Sequence, residues 1–229
     1  MPTIVFDHPY IAIESGCVLL ILIALEAVLS ADNAIALAAI AQGLKDEKTQ
    51  RRALDFGLLA AYILRITLIF TATWVIKYWQ FELLGAAYLL WLVYDYFSSR
   101  EDKETHHKDL GFNSLWQAIP AIAFTDLAFS LDSVTTAIAV ADQLWLIIAG
   151  GTIGVIALRF LAGLFIRWLD EYTHLEDAGF VTVGFVGLRL LLKVAYPKFV
   201  PPEWLMILLI VGMFIWGFSE KTSESEQDT

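Results

Sequence analysis

Cysteine is almost missing from this chain: Cys17 stands alone in 229 residues, which excludes a disulfide framework and a thiolate metal site. Charge is scarce too. Charged residues make up 17% of the sequence, where soluble domains carry about 25%. No block of Lys or Arg forms a basic face, and the formal net charge is −10, so nucleic acid is excluded as a partner. The first residues, MPTIVFDHPYIAIESG, lack the basic stretch that opens a cleavable signal peptide. No phosphate-binding GxxxxGK[ST], no HExxH and no nucleophile elbow occurs. The chain is therefore not expected to be an enzyme.

Apolar residues are what the chain has in excess. The set AVILMFWYC reaches 58%, above the roughly 45–50% of soluble domains counted with glycine. These residues fall into seven runs, at about 11–41, 54–76, 81–97, 115–141, 144–169, 178–194 and 204–218. A helix needs about 20 apolar residues to cross the hydrocarbon core. The runs are far too long for barrel strands, and period-2 alternation is absent. An all-α polytopic membrane protein with seven transmembrane helices follows. Lys and Arg fix its orientation: with the first joint inside, nine lie on the cytoplasmic side and three outside. The N-terminus is then outside and the C-terminus cytoplasmic, in a cell (inner or plasma) membrane.

The sequence matches itself. Glu26, Ser30, Asp32 and Asn33 lie over Asp126, Ser130, Asp132 and Ser133 at an offset of 100. Gly57, Arg65, Trp74, Glu82 and Gly85 lie over Gly151, Arg159, Trp168, Glu176 and Gly179 at an offset of 94. Each half holds three segments, so the second half enters from the opposite face and the repeats are inverted. The organisation expected is a first three-helix repeat with a short N-terminal extension (1–97) and a polar cytoplasmic linker (98–114). A second, inverted repeat (115–194), a seventh helix (195–218) and an acidic disordered tail (219–229) complete it. Inverted repeats with polar residues at matched places are the pattern of secondary transporters, whose sites lie near the midplane.

Four carboxylates sit inside apolar runs: Glu26, Asp32, Asp126 and Asp132. Each costs ~2.5–3.5 kcal/mol at the bilayer centre unless compensated. Arg65 and Arg159, also mid-segment and matched, are expected to neutralise an acid of the motif helices each, Glu26 or Asp126 foremost. Asp32 and Asp132 would then be left to meet near the midplane around a cation. The Ser30–Asn33 and Ser130–Ser133 stretches are rich in N-cap types, which suggests broken helices there, although unbroken helices also present such side chains to a bundle interior. Carboxylate, amide and hydroxyl oxygens are hard ligands, suited to Mg²⁺, Mn²⁺ or Ca²⁺.

With LEAVLSADNAIALAAIA at 25–41 and AFTDLAFSLDSVTTAIAV at 123–140, the chain resembles the TerC integral membrane proteins, named for tellurium resistance. The likeness runs from Glu14 through Phe218. It implies a polytopic membrane protein of a family with several members linked to manganese efflux. It also implies a metal-ion site at Glu26, Asp32, Asn33, Asp126, Asp132 and Ser133, beside which Arg65 and Arg159 stand as supporting partners on the charge grounds given above. The function expected is export of a divalent cation, Mn²⁺ first with Ca²⁺ or Mg²⁺ open, coupled to protons if one acid titrates, and with no permanently bound cofactor. The alternative is an accessory membrane protein without turnover. It would partner the membrane or secretion machinery in metal delivery, or a tellurite-resistance complex.

Overall fold

The computed structural model describes residues 19–20, 33–44, 46–101, 114–141 and 143–222. Among them are seven α-helices and no strand. They are α1 (Asn33–Gln42), α2 (Glu47–Val75), α3 (Trp79–Glu101), α4 (Leu115–Val140), α5 (Leu144–Glu171), α6 (Leu175–Ala195) and α7 (Glu203–Gly217), with a 3₁₀ turn at Pro197–Phe199 before α7. α2 begins seven residues before the apolar run, because Asp46 caps it. The Asp46 carboxylate accepts from the Thr49 amide at 3.2 Å, satisfying one of the orphan donors of the first turn. Glu176 and Asp177 open α6 and Lys193 lies in its last turn, the charge order that complements the helix dipole.

α1 is the centre of the bundle. Ala34 through Ala38, Ile40 and Ala41 are fully buried, packed with Leu54 and Leu58 of α2, Ile122 of α4, Leu158 and Phe165 of α5, and Phe180 of α6. Small residues permit the approach: a Cβ on Gly179 would overlap Ile35 Cγ2, and one on Gly57 would lie 2.6 Å from Ile122 Cγ2.

Pair registers follow from named contacts. α3 and α6 run antiparallel. Glu82 meets Lys193 near one end, Gly187 lies against Leu89 and Leu90, and Gly184 against Val93. At the other end Tyr96 bonds Asp177 and stacks on Phe180. α2 and α5 are also antiparallel, through Asp55 with Arg159, Tyr62 with Thr152, and Arg65 against Gly151. α2 and α4 run parallel, Gly57 on Ile122 and then Arg65 on Asp126.

The outside of this bundle is apolar. Phe56, Leu59, Ile63 and Phe70 of α2, Ile156 and Phe160 of α5, and Leu208, Val211 and Ile215 of α7 are all more than half exposed. Water does not tolerate a contiguous apolar surface of this kind, and lipid does. Among the described residues four helices (α2, α4, α5 and α6) are long and apolar enough to cross a membrane, where the sequence reading has seven. α3 is long enough at 23 residues, but Glu82, Asp95, Arg100 and its tyrosines lower its hydropathy. α7, at 15 residues, measures about 22 Å at 1.5 Å per residue, less than the ~30 Å hydrocarbon core. The chain is an all-α membrane protein.

The tail differs from the expectation of disorder from 219 onward. Residues 219–222 pair with the α5–α6 turn: the Thr173 amide donates to Glu220, the Thr222 amide to Glu171, and Tyr172 and Lys221 form an isolated antiparallel bridge. The Lys221 ammonium donates to Glu171 at 2.6 Å, and this contact raises its pKa above the usual lysine value. Residues 223–229 lie outside the described region.

Candidate functional site

Polar side chains collect on the inner faces of the lipid-exposed helices. Midway along α4, Asp126 is fully buried, and Arg65 of α2 reaches it with 1% of its own surface exposed. The guanidinium donates from Nη2 to Asp126 Oδ1 at 3.1 Å. Arginine stays charged inside proteins, so this is an ion pair held away from water. Ser130 Oγ donates to the Asp126 carbonyl at 2.7 Å and stands 3.4 Å from its carboxylate. Beside Arg65 a void of about 10 Å³, lined by Ile69, Val134, Ile147, Gly150 and Gly151, has room for about one water. On the side of α4 that faces α3, Tyr88 donates to the Ala121 carbonyl at 3.2 Å and shares a 3.0 Å hydrogen bond with Thr125, the residue before Asp126.

Toward the C-terminal end of α4 lies a second charged group. Asp132 accepts from Arg189 of α6 through Oδ2 and from Lys193 Nζ through Oδ1 at 3.2 Å. Lys193 also meets Glu82 of α3 at 2.9 Å. Two acids and two bases therefore tie three helices together. Their side chains are 14–28% exposed, so water reaches this group. At the opposite end of α3 and α6, Tyr96 donates to Asp177 Oδ1 at 2.6 Å, and Glu176 and Asp177 are buried.

The expected site residues divide accordingly. Arg65 and Asp126 come together. Asn33 lies buried on α1, and Ser133 is buried on α4 with its hydroxyl 3.5 Å from the Ser130 carbonyl. Glu26 and Asp32 lie outside the described residues, so the Asp32–Asp132 meeting does too. Two expectations are corrected among the described residues. Among the described residues Arg159 takes no acid of a motif helix: it pairs with Asp55 of α2 at 2.5 Å, with 34% and 56% of the two side chains exposed. Asp132 is held by two bases rather than left clear for a cation. Of the two arrangements open for this stretch, α4 takes the unbroken one through Asp132: Ser130 and Thr135 spend their hydroxyls on carbonyls four residues back instead of capping a new helix.

Glu82, Lys193 and Asp177 were not singled out as site residues. Glu82 was visible as one of the residues repeated at an offset of 94. Lys193 follows Arg189 by four residues and so shares its face, but at the end of its apolar run it counts only as one of the three outer cations. Among the described residues no group of three or more His, Cys, Asp or Glu is placed to hold a metal ion. Between α2 and α5 a cavity of about 330 Å³ is lined by Asp55, Leu58, Tyr62, Thr152, Arg159 and Phe160.

Known proteins place the chain. The family described as "Integral membrane protein TerC family" matches residues 12–224. The chain is 36% identical over 205 residues to the membrane protein YkoY of Bacillus subtilis, covering 82% of this chain and 63% of YkoY. It is 36% identical over 176 residues to YceF of the same organism, covering 74% of this chain and 68% of YceF. It is 25% identical over 172 residues to the chloroplastic thylakoid membrane protein TERC of Arabidopsis thaliana, covering 62% of this chain and 45% of that protein. The chain thus spans a little under two thirds of YkoY's length, and no solved structure matches it. From its apolar exterior, its buried charges on α4 and this match over nearly its whole length, the chain belongs to the TerC family of integral membrane proteins.

Proposed function

We propose that the chain is a secondary transporter exporting a divalent metal cation, Mn²⁺ foremost with Ca²⁺ and Mg²⁺ open, from a cell membrane in which its N-terminus is outside. The observation that carries this reading is the placement of ionised groups along α4. Asp126, paired with Arg65, and Asp132, paired with Arg189 and Lys193, stand on a helix whose other buried residues are apolar or hydroxyl-bearing. Charges inside the membrane cost free energy, and folding alone gives no reason to keep them. Support also comes from the antiparallel registers of α2 with α5 and of α3 with α6, the pairs that an in-plane two-fold relating inverted halves would exchange. Hard oxygen donors from Asp132, Ser133 and Asn33 suit a hard cation. Asp126 is paired away from water, whereas water reaches the Asp132 group, so Asp132 is the carboxylate on α4 that exchanges partners. Reversible protonation of one acid would couple the ion to protons.

The rival reading is an accessory protein that supports metal delivery without turnover. It draws on the absence, among the described residues, of a ready-made three-acid site. The two readings separate in cells. A host lacking its own manganese exporters should accumulate less Mn²⁺ and tolerate more of it when this chain alone is expressed. Asp132→Asn at equal membrane abundance should remove that tolerance. Unchanged intracellular Mn²⁺ on expression of the wild-type chain would refute export.

A further inference from the structure

The charged group at the end of α4 sits where little else joins two helices. α3 packs broadly against both α4 and α6, but α4 and α6 have few backbone approaches of their own. What spans that gap is side chain: Arg189 and Lys193 extend from α6 to Asp132, and the same Lys193 ammonium reaches Glu82 on α3. Immediately deeper, Ala128 and Phe129 of α4, Ala86 and Leu89 of α3, and Val183 and Leu190 of α6 close into an apolar layer. The far end of the α3–α6 pair is fastened differently. Tyr96 joins Asp177 there, at contacts 14 residues from Glu82 on α3 and 16 from Lys193 on α6, about 21 and 24 Å away at 1.5 Å per residue. No carboxylate of α4 takes part in that Tyr96–Asp177 contact.

We propose that Lys193 is a positioning residue that latches α6 to α3 and α4, closing the inner face of α4 to the side of the membrane on which Val140 and Ala195 lie. Its ammonium is shared by two carboxylates on two helices, so a single rotamer change releases both contacts at once. Partial exposure makes that release feasible: water replaces the partners, as it does not for the buried Arg65–Asp126 pair. Release frees α6 from Glu82 of α3 and leaves Arg189 as the one charged side chain, among the described residues, still reaching from α6 to Asp132, so the end of α6 can move away from α3 and α4 while the apolar layer below holds. This deepens the transport reading, since access to one side must close while the other opens.

The test uses full-length protein carrying Cys17→Ser and Ala128→Cys. Ala128 lies on the α4 face of Asp132, one turn deeper, and is 4% exposed. A membrane-impermeant maleimide is applied to intact cells or to inverted vesicles. With Lys193 present, labelling from the latch side should be slow. Lys193→Gln and Glu82→Gln should each speed it at least fivefold from that side alone, and Lys193→Arg should restore the slow rate. Glu82→Gln carries the test should Lys193→Gln fail to reach the membrane. Equal rates in the parent and both Gln variants would overturn the proposal, as would faster labelling from both sides with a lowered melting temperature. Mn²⁺ flux through the same proteins in liposomes is read separately. Absent flux with intact sided labelling counts against transport and leaves the latch standing.

Discussion

Removing Arg65 should damage this protein more than any other single charge removal among the described residues. Arg65 and Asp126 expose 2% and 0% of their side chains, and their contact is 3.1 Å long. Truncating one partner leaves Asp126 ionised at a fully buried position, or forces it to take a proton. Breaking buried pairs this way costs about 3–5 kcal/mol. The side chain also fills the interface of α2 with α5, where its Cδ lies 3.6 Å from the place of a Cβ on Gly151, so a cavity adds to the loss. The matched Arg159→Ala is the internal control. Its pair with Asp55 is 34% and 56% exposed, and exposed pairs contribute about 0–1 kcal/mol. Arg65→Lys should rescue in part, since lysine keeps the charge but not the planar fork. Arg65→Met with Asp126→Leu should lose less than Arg65→Ala, because no carboxylate at 126 is left without its base. Melts of detergent-purified variants and the folded fraction in membranes are the assays. If Arg65→Ala and Arg159→Ala lose equal stability, or Arg65→Ala melts like wild type, the burial argument is wrong.

Gly179→Ala should destabilise by about 1–3 kcal/mol through overpacking, because its Cβ would overlap Ile35 of the central helix; a melt unchanged from wild type would contradict the close approach of α1 and α6. Tyr96→Phe should cost about 1.5–3 kcal/mol, the range for a hydrogen bond to a charged group, since it strips Asp177 of a 2.6 Å donor at a buried position; the same denaturation assay reads it. Asp132→Asn should still reach the membrane, because Lys193 keeps Glu82 and water reaches this group, and should abolish Mn²⁺ tolerance; wild-type tolerance at equal abundance would move the site elsewhere.

Helix positions were legible in the sequence because lipid imposes a simple rule. Apolar runs must be helical, and they end where polar residues begin. α4 and α5 fall within two residues of their runs. The early start of α2 was hidden because Lys48, Arg51 and Arg52 read as a joint, while Asp46 capped a helix that simply continues into water. Charge partners were harder. Arg65 and Asp126 were both marked as deep, and depth leaves few partners, so their meeting could be argued from cost. Arg159 was marked as equally deep, but Asp55 lies early in a helix whose start was placed too late, and a carboxylate near an assumed helix end looks solvated. The latch was missed for the same reason. Lys193 is close enough to the end of α6 to be counted at the surface, and only three-dimensional packing reveals that Asp132 and Glu82 lie beside it.

Purified protein in liposomes tests the central claim most directly. Vesicles loaded with a manganese-quenched dye are given an inward Mn²⁺ gradient, with and without an opposing proton gradient. The account predicts Mn²⁺ entry above that of empty vesicles for the wild-type chain, loss of that entry for Asp132→Asn, and retention for Arg159→Ala. Flux equal to that of protein-free vesicles under every gradient would contradict transport, and equal flux in wild type and Asp132→Asn would contradict the site.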